Sequence, residues 1–71
     1  MHQDALFDEL RRIESEVVEA ERLLAAQESL LVDLKRQNRD VSAARAALDA
    51  MRKAQQIRQQ DRQRLLSMLQ P

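Results

Sequence analysis

The 71-residue sequence predicts an all-α fold, a single domain that forms an antiparallel two-helix hairpin of the coiled-coil type. Three observations lead to this prediction. The chain has no glycine and its one proline is the last residue, so it lacks the turn residues of a sheet protein. Apolar residues recur at steps of three and four in both halves, which is typical of amphipathic helices. The phase of this repeat changes within residues 36–43, which read RQNRDVSA.

The first half of the chain predicts a helix over residues 4–37. Its apolar positions follow a heptad pattern for about four heptads, with one polar interruption at Gln27. Such a seam is the surface that one helix of a coiled coil buries against its neighbour. The seam residues expected in this helix are Leu10, Ile13, Val17, Leu24, Leu31 and Leu34.

The first helix is expected to end at a turn over residues 38–40. Asn38 is the best non-glycine residue for the left-handed conformation that ends many helices. Asp40 offers a side-chain oxygen to the start of the next helix, with Ser42 as the second choice. So short a link makes the two helices antiparallel. The alternative is one continuous helix in a long parallel dimer.

The second helix is expected over residues 41–69. If the phase of the first half continued, its stripe would become mostly polar, whereas a shifted phase restores an apolar seam. The seam residues predicted on this helix are Leu48, Met51, Leu65 and Leu69.

The two halves carry opposite charge, although the whole chain is neutral. Up to Gln37 there are nine acidic and five basic residues, a net charge of −4, and the remainder has seven basic and three acidic residues, a net charge of +4. In an antiparallel hairpin with this turn, residues whose numbers add up to about 78 or 79 lie at the same level. The sequence therefore predicts the interhelix ion pairs Glu21–Arg58 and Glu16–Arg62.

Apolar residues outside the seam predict self-association. Two helices hide one narrow seam, and a wider apolar stripe would face water in an isolated hairpin. We expect a homodimer in which two hairpins form a four-helix bundle, so the function expected is a non-enzymatic, homo-oligomeric interaction or adaptor module. Another helical protein is a further possible partner. The predicted interface residues are Val18, Leu23, Ala25, Leu30, Val32, Ile57 and Leu66.

No catalytic, cofactor or metal site is predicted. His2 is the one histidine, and it is expected to be a solvated residue near a terminus. The acidic residues at positions 14, 16, 19 and 21 spread round a helix, so they predict a solvated, salt-bridged face. The chain has no cysteine, which fits the cytoplasm. The sequence also lacks an apolar run long enough to cross a membrane and the features of a signal peptide.

The second helix leaves an alternative function open, the binding of nucleic acid by a small regulatory protein. Its basic side chains alternate with glutamines, and they are Arg45, Arg52, Lys53, Arg58, Arg62 and Arg64. The chain has no Tyr or Trp to stack on bases, and several of these arginines are expected to pair with the first helix. Nucleic acid is therefore the second choice of partner. A membrane surface is disfavoured, because the acidic helix would repel anionic lipid.

Residues 21–69 resemble a group of small bacterial helical-hairpin proteins. The shared pattern is an acidic helix, a polar turn and a second helix that ends in D-R-x-R-L-L, which is DRQRLL at residues 61–66 here. Asn38 stands at the turn where that group has glycine. The resemblance implies the hairpin, and it supplies no catalytic residue to carry over.

Overall fold

Two long helices form an antiparallel hairpin. The structure is a computed structural model that describes residues 2–70, with side chains from residue 4 onward. The first helix, α1, spans His2–Arg36, and the second, α2, spans Ser42–Leu69. Contacts between them pair late residues of α1 with early residues of α2 and the reverse, as Gln27 with Ala44 and Val17 with Gln55. The all-α fold and the packing of two helices against each other are therefore as predicted.

The helix bounds differ slightly from the expected ones. Helix α1 begins at His2, two residues before the expected start, and ends at Arg36, while α2 begins at Ser42. The turn thus covers residues 37–41, one residue more on each side than expected. The expected domain over residues 1–71 also includes Met1 and Pro71, which lie outside the described residues.

Ion pairs along α1 stabilise the helix on its solvent side. Arg12 bonds with Glu9 and, at 2.7 Å, with Glu16, and Arg22 bonds with Glu19 at 2.6 Å. These partners lie three or four residues apart, the spacing that places side chains side by side on a helix surface. The hydrogen bond from Arg12 lowers the pKa of Glu9, and the one from Arg22 lowers the pKa of Glu19.

The turn ends α1 through a left-handed residue, as the sequence predicts. Asn38 has a φ of 55°, the one positive value among the described residues. The amide of Asn38 donates to the carbonyl of Lys35 at 3.1 Å, and the amide of Arg39 donates to the carbonyl of Leu34 at 3.0 Å. This pair of bonds is a Schellman motif, which satisfies carbonyls that the helix end leaves open.

Asp40 accepts hydrogen bonds from the start of α2, but it lies one residue before the N-cap position that was expected for it. Its Oδ1 accepts hydrogen bonds from the Ser42 amide at 2.9 Å and from the Ser42 hydroxyl at 2.7 Å. The residue at the cap position is Val41, whose side chain cannot accept a bond but whose carbonyl accepts the Arg45 amide at 2.8 Å. The bonds from Ser42 lower the pKa of Asp40, the one from the Ser42 backbone contributing most.

The seam between the helices is the core of the protein, and its packing is uneven along the rod. Leu10, Ile13, Val17 and Leu65 form a buried cluster at the end remote from the turn. Leu69 packs against this cluster and is half-buried. Towards the turn only Leu48 is a buried apolar residue, and the other expected seam residues are half-buried, namely Leu24, Leu31, Leu34 and Met51.

The molecule is a thin rod. Its Cα atoms extend over 55 × 15 × 14 Å, and their radius of gyration is 16.3 Å. A compact domain of this length would have a radius of gyration of about 11 Å. Neither of the two described helices is both long and apolar enough to cross a membrane. The thin cross-section means that side chains outside the seam face solvent in the single chain.

Candidate interaction surface

Surface grooves and depressions lie on both sides of the seam, and the chemistry of the two sides differs. One groove of about 290 Å³ is lined by Glu14, Glu21 and Gln59, together with Val17, Val18 and Arg62. Arg62 Nε lies 3.9 Å from Glu14 Oε1, and Arg52 Nη2 lies 3.5 Å from Glu28 Oε1. We call this side, defined by Glu14, Glu21, Glu28, Arg52 and Arg62, the charged face.

The predicted ion pairs need correction. Arg62 approaches Glu14, whereas Glu16 bonds with Arg12 on its own helix. Arg58 lines a depression with Glu16 and Ser15, on the opposite side of the seam from Glu21, so the pair Glu21–Arg58 is not formed within the described residues. The reason is rotational, because adding residue numbers gives the level of a residue along the rod but not the side to which its side chain turns.

The other side of the seam is apolar from Leu23 towards the turn. A depression of about 100 Å³ is lined by Ala20, Leu23, Met51, Ala54 and Arg58. Two helical turns beyond Leu23 lies Leu30, and two turns before Ala54 lies Ala47, so each extends the same side towards the turn. Leu23 is 44% exposed and Leu30 is 46% exposed. We call this side, defined by Leu23, Leu30, Ala47, Met51 and Ala54, the apolar face.

The predicted interface residues do not form one surface. Leu23 and Leu30 lie on the apolar face. Val18 lines the groove of the charged face, and Ala25 and Val32 lie beside Glu28 on the outer side of α1. Because these two sets lie on opposite sides of the rod, one flat interface cannot cover both.

Four further apolar residues lie outside these two sets. Ile57 is exposed and lies three residues from Ala54, at the outer edge of the apolar face. Leu66 is half-buried against the core cluster, and its assignment to the dimer interface stays a prediction. Phe7 and Met68 are exposed near the open end of the rod, and neither is among the predicted interface residues. Their heptad positions next to the seam were the signal that could have found them.

Two glutamines in the seam form hydrogen bonds between the helices. Gln27 Nε2 donates to the carbonyl of Ala44 at 3.0 Å, and Gln55 Nε2 donates to the carbonyl of Val17 at 3.1 Å. Gln55 is buried, and its Oε1 has no hydrogen-bond partner among residues 2–70. A buried polar group at a seam position lowers stability but restricts the register of the helices.

The described residues offer little for other chemistry. No group of three or more acidic or histidine side chains that could hold a metal occurs among them. The side chain of His2 lies outside those described. On α2, Arg52 and Arg62 approach carboxylates of α1, and Arg64 lies 3.6 Å from Asp61. Half of the six basic side chains considered for nucleic acid therefore already lie near a carboxylate.

Comparisons with protein-family models, with curated proteins and with solved structures give no significant match to this chain. The resemblance to small bacterial hairpin proteins therefore stays an expectation.

Proposed function

We propose that this protein is a non-enzymatic interaction module that works by self-association, two hairpins combining into a four-helix bundle. The observation that carries the proposal is the exposure of large aliphatic side chains in line along the rod. Leu23 and Leu30 lie on the same side, two helical turns apart, and each has nearly half of its surface in solvent. A contiguous apolar surface of this kind is typical of an interface.

The total surface area supports the same proposal. The single chain has a mass of 8.3 kDa and an accessible surface of 5587 Å². A compact monomer of this mass exposes about 4,600 Å², so the hairpin exposes about 1,000 Å² more than expected. Each partner in a protein complex of standard size contributes about 800 Å². The excess is therefore large enough for one interface between two copies.

Energetics point in the same direction. Burying a large aliphatic side chain contributes about 1.5 to 3 kcal/mol relative to leaving it exposed. Small domains of this length have little stability to spare, and oligomerisation is one of the common ways in which they gain it. Folding and self-association are therefore expected to be coupled, with helicity that depends on protein concentration.

The test is the mass in solution, measured by sedimentation equilibrium at low micromolar concentration, together with thermal unfolding followed by circular dichroism over a range of concentrations. We expect a dimer whose melting temperature rises with concentration. A monomer that unfolds cooperatively at the same temperature at every concentration contradicts the proposal.

Binding of nucleic acid is tested in the same preparation. Contacts with phosphates release counterions, so such binding would weaken steeply with salt. A polarisation assay with labelled duplex DNA and single-stranded RNA at low and at physiological salt measures it. We expect no binding at low salt, and salt-sensitive binding would instead favour a nucleic-acid regulator.

A further inference from the structure

We infer that the two copies pack through their apolar faces with both turns at the same end, so that α1 of each copy lies against α2 of the other. This inference rests on the proposed self-association and adds which surface is used and how it is arranged. The occupant of the apolar face is thus a second copy of this chain. Three features of that face lead to this arrangement.

The first feature is the surface shape of the apolar face. Leu23 on α1 stands beside a depression at Ala54 on α2. Two helical turns closer to the interhelix turn, the large Leu30 and the small Ala47 repeat this pairing, so α1 carries a ridge and α2 a trough. Leu23 and Ala54 line the same depression, so they lie at the same level of the rod. A face with a ridge next to a matching trough is complementary to itself under a two-fold rotation.

Two orientations of the two-fold axis are possible for hairpins that meet face to face. With the axis along the rod, α1 faces α2 of the second copy, and Leu23 meets Ala54 while Leu30 meets Ala47. With the axis across the rod, α1 faces α1, so large side chains meet large ones and alanines meet alanines. Only the first arrangement fills the trough, and close packing of an interface requires that such voids be filled.

The second feature is charge. Arg58 lies at the edge of the apolar face, half-buried, in a depression that Glu16 and Glu19 of the same chain also line. No carboxylate lies within ion-pair distance of Arg58 in the described part of the chain. With the axis along the rod, Arg58 comes to the level of Glu16 and Glu19 of the second copy. Arg58 thus meets carboxylates of the second copy at both edges of the interface, which favours this orientation. Asp61, two turns beyond Ala54, in contrast reaches the level of Glu16 of the second copy as a like charge.

The third feature is the contrast with the charged face. There, Glu28 bonds with Arg52 and Glu14 approaches Arg62, so the groove on that side carries charge along most of its length. Burying such pairs in an interface would require their desolvation, whereas the five residues that define the apolar face carry no charge. The charged face is accordingly the outer surface of the dimer.

Cysteine cross-linking tests the arrangement, and the chain is well suited to it because it contains no cysteine. The variants Leu23→Cys, Leu30→Cys and Ala47→Cys are each made separately, mixed in pairs, oxidised briefly and separated without reductant. A disulfide forms only where two Cα atoms come within about 7 Å. We expect the mixture of Leu30→Cys with Ala47→Cys to give cross-linked dimers and the mixture of Leu23→Cys with Leu30→Cys to give none.

Every other outcome contradicts one stated part of the proposal. Cross-links between positions 23 and 30 would mean that α1 faces α1. A dimer by sedimentation without either cross-link would leave the proposed self-association intact and rule out the apolar face. A monomer by sedimentation would contradict both.

Charge insertion gives an independent measurement with a matched control. Leu30→Glu places a charge on the apolar face, and Val18→Glu places the same charge on the opposite side, where Val18 is 67% exposed. We expect Leu30→Glu to raise the dimer dissociation constant by about tenfold or more and Val18→Glu to change it by less than about twofold. Equal effects of the two variants would overturn the assignment of the face.

Discussion

Gln55 of α2 donates a hydrogen bond from Nε2 to the main-chain carbonyl of Val17 in α1, at 3.1 Å. The bond joins the two helices in the middle of a seam that is otherwise mostly apolar. Gln55 is 91% buried, and its Oε1 has no partner among the described residues. The residue thus aligns the helices while leaving one buried acceptor without a hydrogen bond.

Replacing Gln55 with leucine is therefore expected to raise stability. The Val17 carbonyl lies within α1 and keeps its helical hydrogen bond, while the variant removes the unpaired acceptor, whose burial costs about 1 kcal/mol or more. Urea unfolding at a fixed protein concentration measures the change. Gln56→Leu, at the neighbouring exposed position, is the control and should have little effect. A clear loss of stability in Gln55→Leu would mean that the bond to Val17 outweighs the unpaired oxygen.

The conformation of Asn38 predicts opposite effects of two substitutions at the turn. Glycine adopts a φ of 55° without steric strain, so Asn38→Gly should be neutral or stabilising. Valine resists positive φ, so Asn38→Val should lower the free energy of unfolding by about 1 kcal/mol or more. The matched control is Arg39→Val, which introduces the same residue at the next exposed position, where φ is negative. If both valine variants lose the same stability, the left-handed conformation is not the cause.

The interhelix ion pairs predict coupling between specific residues. A double-mutant cycle with Glu28→Gln and Arg52→Gln should give a coupling energy of about 0.2 to 1 kcal/mol, because the pair is solvent-exposed. The same cycle at Glu21 and Arg58 should give none, since these side chains lie on opposite sides of the seam. Coupling that is larger at Glu21 and Arg58 would show that the faces are assigned the wrong way round.

The hydrogen bonds to Asp40 predict a dependence of stability on pH. They lower its pKa in the folded protein, so the stability that they contribute is present above the pKa of the unfolded chain. That contribution is lost as the pH falls through the folded pKa. We expect Asp40→Ala to destabilise the protein at neutral pH and to make less difference at strongly acidic pH, as the carboxyl becomes protonated in the folded protein as well.

Urea unfolding at the two pH values measures this difference. The control is Asp49→Ala, an exposed carboxylate for which the described residues provide no hydrogen-bond partner. A destabilisation by Asp40→Ala that is the same at both pH values would indicate a role that does not depend on the charge.

The hairpin was predictable from the sequence because its signals are local. The heptad spacing places Ile13 and Leu65 on the seam, and the preference of Asn38 for positive φ ends α1. The side of the rod on which each charged residue lies was harder to predict. The level of Arg62 follows from counting residues, but the choice between Glu14 and Glu16 depends on the rotation of two helices about their axes. That rotation is set by packing over the whole seam, including the bonds from Gln27 and Gln55 to backbone carbonyls that carry no sequence signal.

The position of the core cluster bears on how the hairpin closes. Residues near the turn meet after closure of a short loop, yet only Leu48 is buried among the apolar side chains there. The cluster of Leu10, Ile13, Val17 and Leu65 brings together opposite ends of the chain, and its formation carries the entropy of closing nearly the whole length. We therefore expect the contacts near the turn to be less stable than those at the opposite end of the rod. Backbone amides around Ile13 and Leu65 should exchange their hydrogens with solvent most slowly, although they lie farthest from the covalent link.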